Sequence, residues 1–259
     1  MKNYKHLFVL LILTVTTSCS TDESTINSEN LDININLNRQ SVGNSANDFL
    51  SDSKFTSLVI ELVYVDGFEP NATSISNFVS FIENRTYKPN GITVEKRGII
   101  SPGLENYTIQ DIADIEIQQR QNYNSENKLT LWVFFADGEA ATNTDSSSVL
   151  GTAYWNTSFV IYEETIQNLS NSPFQPNRSV LETTIITHEF GHILGLTNLG
   201  SPMEVDHEDL EHPKHCNDEN CLMFWATESS NGLDAMANMT SAPALDNACI
   251  NDLIANGGK

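Results

Sequence analysis

Basic side chains are scarce: 13 Lys and Arg stand against 34 Asp and Glu, a formal net charge of −21. A surface with that balance repels phosphate backbones and anionic headgroups, which argues against nucleic acid and a bare lipid surface as partners. Cysteine is rarer still. Four residues in a chain of 259 are too few for a fold built on disulfides. The sequence also lacks a glycine-rich loop to cradle phosphate, a Gly-x-Ser-x-Gly elbow, and a cysteine in a recognisable nucleophile setting.

What is present begins with Lys2 and Lys5, followed by the apolar run Leu7 to Leu13 and then small residues up to Cys19. The run is too short to span a bilayer and has the layout of an export signal. Cys19 at this point resembles the lipid-modified cysteine of bacterial lipoproteins; the plainer alternative is a secretory signal with an incidental cysteine. On either reading the mature protein leaves the cytoplasm, and loss of residues 1–18 removes two lysines and no acid, taking the charge to −23. The resemblance implies a protein held by lipid at a bacterial outer membrane, on a face the sequence does not specify. Residues 19–44, dominated by Ser, Thr, Asn and Asp, read as a flexible tether.

The folded body is expected over 45–259. A short helix near 45–52 precedes a β-branched strand at 55–65. A helix follows at 74–87 with Ile75, Phe78, Val79 and Ile82 on one face, then a strand at 92–100, a helix near 108–123 and a strand at 129–135. Residues 150–162 read as an edge strand, a turn near Asn156 and a further strand. The alternation implies right-handed crossovers and a mixed α/β (α+β) domain with a mostly parallel twisted sheet, antiparallel at 150–155. An N-terminal subdomain, 45–195, thus holds the sheet. The C-terminal part, 196–259, is irregular apart from a helix near 246–255.

Chemistry concentrates at His188-Glu189-Phe190-Gly191-His192, on a helix expected at 179–194 and ended by Gly195 in the left-handed conformation. Histidines four apart on a helix project from one face and converge on one ion. A catalytic zinc takes about three protein ligands and lowers the pKa of a bound water. Glu189, beside the first histidine, is placed to take that water's proton as general base.

The string from His188 to Leu196 resembles the metzincin clan of zinc metallopeptidases. Downstream, His215-Cys216, four residues, Cys221, one residue and Met223 are similar to the archaemetzincin pattern. That resemblance implies His215 as third zinc ligand and Met223 as the turn beneath the metal, in a metzincin-like fold. Where many relatives carry a third histidine this chain has Asn198, so the ligand would be delivered seventeen residues later by an inserted loop. Closing the longer loop costs little. His207 is the alternative third ligand, and His212 and the acids of the insertion stay open. Archaemetzincins bind a second, structural zinc through four cysteines; here only Cys249 follows Cys221, so one zinc is expected and a disulfide preferred, with the nearby Cys216–Cys221 one of three possible pairings.

The acidic run Glu204, Asp206, Glu208, Asp209 and Glu211 raises calcium as a further cofactor, although no regular ligand spacing is present and a solvated loop explains it. The function expected is hydrolysis of peptide bonds in a peptide or protein substrate, with the 150–155 edge lining the cleft. The rivals are a zinc-binding or adhesive surface lipoprotein without turnover, and a zinc hydrolase of a non-peptide bond.

Overall fold

The computed structural model describes residues 34–170, 172 and 174–259. The expected signal, Cys19 and residues 19–33 of the tether lie outside them. Residues 34–44 are no tether: Ile35–Asn38 form a 3-10 helix and Asn38 is fully buried. Its side-chain amide donates to Asn124 Oδ1 at 2.9 Å, Thr157 Oγ1 at 3.2 Å and Thr130 Oγ1 at 3.3 Å, and its Oδ1 accepts from Asn124 N–H at 3.1 Å. A polar composition was read as solvation, whereas this amide supplies partners to a buried polar junction.

The element order is α1 (Ala46–Leu50), β1 (Ser57–Val65), α2 (Ala72–Arg85), β2 (Ile92–Ile99), β3 (Asn106–Tyr107), α3 (Ile109–Gln119), β4 (Lys128–Ala136), β5 (Glu139–Ala140), β6 (Gly151–Trp155), β7 (Ser158–Tyr162), α4 (Glu163–Asn168), α5 (Arg178–Ile193), α6 (Leu233–Met236) and α7 (Asn247–Ala255). The main sheet runs β2-β1-β4-β7-β6. Its first four strands are parallel and β6 lies antiparallel at the edge, with a bulge between Ala153 and Trp155. The small β3–β5 pair was not legible in the sequence, being two residues on each side. Among the described residues no helix is long and apolar enough to cross a membrane.

β1, β4 and β7 are buried on both faces, which is why they read as continuous apolar runs. Phe78, Phe159, Phe190, Leu181, Ile185 and Ile186 form the core between the sheet and α5, each such buried side chain contributing roughly 1.5–3 kcal/mol. On the other face, α3 is tied to the edge strand by a buried polar cluster. Arg120 and Glu116 pair at 2.6 Å with both side chains fully buried, and Glu116 accepts from Ser158 Oγ at 2.9 Å and Tyr154 OH at 2.5 Å. A buried ion pair adds little net stability but is costly to break from one side, so this cluster fixes where β6 lies.

Asn38→Ala is expected to lower stability by about 1–3 kcal/mol, because it leaves the buried Asn124 N–H without its acceptor. A urea midpoint unchanged from wild type would mean that 34–44 is the tether its composition suggests.

Candidate metal centre

The centre is built on α5, whose residues from Val180 to Ile193 are all buried. A helix buried on every side forms because the sheet covers one face and the irregular C-terminal chain the other. Asn177 caps its start, accepting from Ser179 N–H. It ends in a Schellman arrangement, with Gly195 N–H donating to His192 C=O at 3.0 Å and Leu196 N–H to Gly191 C=O at 3.2 Å. Gly195 has φ +76°, and a Cβ there would lie 2.6 Å from Ser201 N, so both backbone conformation and space require glycine.

After this stop Asn198 turns outward, its amide reaching Glu208 Oε2 at 3.2 Å. The inserted loop then returns to the helix. Asp209 N–H donates to His215 C=O at 2.8 Å, and Cys216 N–H to Met223 C=O at 2.8 Å, which sets the His215 ring opposite α5. Met223 is fully buried beneath Gly191, where an added Cβ would meet its Sδ at 2.3 Å.

Three imidazoles converge as a result. Ring centroids lie 4.8 Å apart for His188 and His192, 5.1 Å for His192 and His215, and 5.5 Å for His188 and His215. His188 Nδ1 bonds the Leu222 carbonyl at 2.7 Å and His215 Nδ1 the Pro213 carbonyl at 3.2 Å. Carbonyls only accept, so both Nδ1 atoms carry hydrogen, which turns both Nε2 atoms to the centre as the nitrogens a metal would take. Burial lowers the His192 pKa to about 4, which leaves that ring neutral and able to ligate.

The donor set fits a metal. His188 Nε2 and His192 Nε2 stand 3.1 Å apart, close to the edge of about 3.3 Å expected of a tetrahedron with zinc–nitrogen bonds of 2.0–2.1 Å. His215 Nε2 and His192 Nδ1 are buried without a hydrogen-bond partner. Glu228, which the sequence reading missed, joins the group. Its carboxylate oxygens are 3.4 Å from His215 Nε2, 3.6 Å from His188 Nε2 and 3.7 Å from His192 Nε2. The only signal for it was an acid five residues past Met223.

Glu189 is fully buried but does not face the imidazoles as a ligand. Its Oε2 accepts from Ala153 N–H of β6 at 2.7 Å, while Oε1 has no hydrogen-bond partner. Burial and then the Glu228 charge push its pKa well above the usual carboxylate range, against the pull of Ala153 N–H. Gly151 makes room for it, since a Cβ there would lie 2.8 Å from Glu189 Cγ. Glu189, His192, His215, Glu228, Thr152 and Ala153 all line one cleft of about 200 Å³.

The other two histidines of the insertion lie apart from this cluster. His207 bonds Asp252 Oδ2 at 2.8 Å and belongs to a different group. His212 bonds Asp209 Oδ2 at 2.8 Å and stacks on Trp225 at 4.1 Å. The expected Cys216–Cys221 disulfide is absent, since Cys216, Cys221 and Cys249 are all free thiols. Cys216 instead lies with His207, Asp246 and Cys249, ligand atoms all within 4.8 Å, and Cys221 Sγ is 3.7 Å from Cys249 Sγ. A nearest-neighbour pairing in sequence missed that α7 brings Cys249 in. No calcium site forms either. Of the two metal-competent groups among the described residues neither contains Glu204, Asp206, Glu208, Asp209 or Glu211, and Glu208 is engaged locally by Lys214 N–H and Asn198.

No protein-family model matches the chain, and no curated protein matches it in sequence. Among solved structures it is similar to archaemetzincin from Methanopyrus kandleri, with a TM-score of 0.51 and 18% identity over 78% of this chain and 96% of that one. A zinc-dependent peptidase from Methanocorpusculum labreanum aligns with a TM-score of 0.48 and 13% identity over 75% and 99%. The α/β fold, with its mostly parallel sheet, is therefore similar to that of archaemetzincin.

Gly191→Ala is expected to destabilise the protein by about 1–3 kcal/mol through overpacking against Met223. Adding Met223→Ala should relieve part of that cost in a double-mutant cycle read by urea unfolding; strictly additive losses would mean that Met223 does not pack beneath this helix.

Proposed function

We propose that the chain is a zinc-dependent peptidase in which His188, His192 and His215 hold the ion and Glu189 is the general base. The convergence of three imidazoles beside a buried carboxyl at a sheet edge carries this reading. Bound zinc supplies Lewis acidity, polarising a scissile carbonyl and making water acidic enough to be deprotonated. Glu189 is suited to receive that proton at Oε1, the oxygen left without a partner, while Ala153 holds Oε2. Dependence on the β6 backbone keeps the base aligned with any chain lying along that edge. An extended peptide pairs there as an added strand, and Met223 supports the histidines from below. The fold similar to archaemetzincin supports the reading of a metzincin-like peptidase.

The second group suits a structural zinc. Its ligand atoms come from Cys216, Cys249, His207 and Asp246, two thiols, an imidazole and a carboxylate of the kinds zinc takes, and Cys221 Sγ is a further thiol 3.7 Å from Cys249 Sγ. It ties α7 to the segment carrying His215 and Met223. In its setting we read the protein as exported, held by lipid at Cys19 on an outer membrane, and acting on peptide or protein substrates rather than nucleic acid.

Glu189→Gln should keep its metal while cleavage of a quenched fluorescent peptide library falls by roughly 10²–10⁴-fold; undiminished cleavage would sink the assigned role. Metal analysis should give two zinc ions per wild-type chain. His215→Ala and His207→Ala should each lose one, the latter with a lowered unfolding temperature and its remaining ion still removed by adding His215→Ala. A single ion in wild type would remove the second site.

A further inference from the structure

Building on the reading of the three histidines as a metal site, we propose that Glu228 is a fourth protein ligand of the same ion, closing its coordination until substrate displaces the carboxylate. The distances favour ligation over hydrogen bonding. Glu228 Oε2 stands 3.6 and 3.7 Å from Nε2 of His188 and His192, and its Oε1 3.4 Å from His215 Nε2, so the carboxylate faces all three rings. These separations are longer than a good hydrogen bond but close to the edges of a tetrahedron around one ion. His215 Nε2 has no hydrogen-bond partner despite this neighbour, which leaves it available to a cation shared with the carboxylate. Three imidazoles and a carboxylate form a complete four-coordinate set, the mark of a closed site, and a hydrolase must open it.

Glu228 is the one donor built to leave. The His188 and His215 rings are anchored through Nδ1, and all three histidine side chains are nearly buried, whereas the Glu228 side chain is 32% exposed. It sits at the end of the 3-10 helix Trp225–Glu228, and its fixed link to the fold is its backbone, which accepts from Leu150 N–H at 2.9 Å. Residues 229 and 230 pair with 148 and 149 through a Val149–Ser229 bridge and a Ser230 N–H bond to Ser148 C=O at 2.8 Å. The chain that carries the fourth donor is thus stitched to the residues leading into β6, so a peptide laid along that edge acts on the same stretch of backbone. Departure of the carboxylate frees a coordination position in the cleft that Glu189 lines.

The test uses the full chain loaded with cobalt(II), as wild type, Glu228→Gln, Glu228→Ala, Glu228→Asp and His215→Ala. Chelator competition should show affinity weakened in Glu228→Gln and Glu228→Ala by at least the roughly 10–100-fold that loss of an outer-shell partner costs. The visible absorption bands of cobalt should change in both, with Glu228→Asp intermediate. Acetohydroxamate, an oxygen chelator that must compete with the carboxylate, should bind both variants about tenfold more tightly or better. The backbone link to Leu150 survives these substitutions, so the metal-free urea midpoint should stay near wild type and exclude misfolding. Unchanged bands, metal affinity and hydroxamate affinity in Glu228→Gln and Glu228→Ala would overturn the proposal while leaving the histidine site standing, provided His215→Ala still loses metal. If His215→Ala holds cobalt as tightly as wild type, the underlying metal reading fails, and this proposal with it.

Discussion

The structure turns on the burial of three imidazoles around one point. Polar rings removed from water are costly unless their donors and acceptors are matched, and here only half of that matching comes from protein. The Nδ1 side of His188 and His215 is met by the carbonyls of Leu222 and Pro213. The Nε2 side faces inward, toward the other rings and the carboxylate of Glu228. Such an arrangement stores electrostatic cost that a cation relieves, so metal affinity and folding of the C-terminal part are coupled.

That convergence sets demands on the rest of the chain. α5 must be buried all round, which needs the parallel sheet on one side and the segment 196–259 on the other. It must also stop at Gly195, whose left-handed conformation turns the chain away early enough for the insertion to leave and come back. The return is held by backbone bonds from Asp209 and Cys216 rather than by a short loop, which is why displacing the third histidine by seventeen residues is tolerated. The edge strand completes the site through Ala153 N–H, and the buried Arg120–Glu116–Tyr154 cluster fixes that strand from the far side of the sheet.

Much of this was legible because it rests on local pattern. Continuous apolar runs marked β1, β4 and β7, the 3.6-residue period marked α2 and α5, and the spacing of His188, Glu189 and His192 placed two donors and a carboxyl on one helix. What escaped depends on long-range contact. Asn38 sits in a Ser- and Asn-rich stretch whose composition suggests solvent, and only Asn124, Thr130 and Thr157, far along the chain, explain its burial. Cys216 looked ready to pair with Cys221, while its actual neighbours include His207 and Cys249 from opposite ends of the C-terminal part. Glu228 carries no motif and becomes visible only when the turn after Met223 is folded against α5.

One zinc ion is expected between His188, His192 and His215. The measurement that bears on it most directly is an anomalous-scattering map at the zinc edge from crystals of the full chain grown with zinc. The expected result is a peak bonded to Nε2 of those three residues. A map without that peak, or with His207 in place of His215 beside the two α5 histidines, would contradict it.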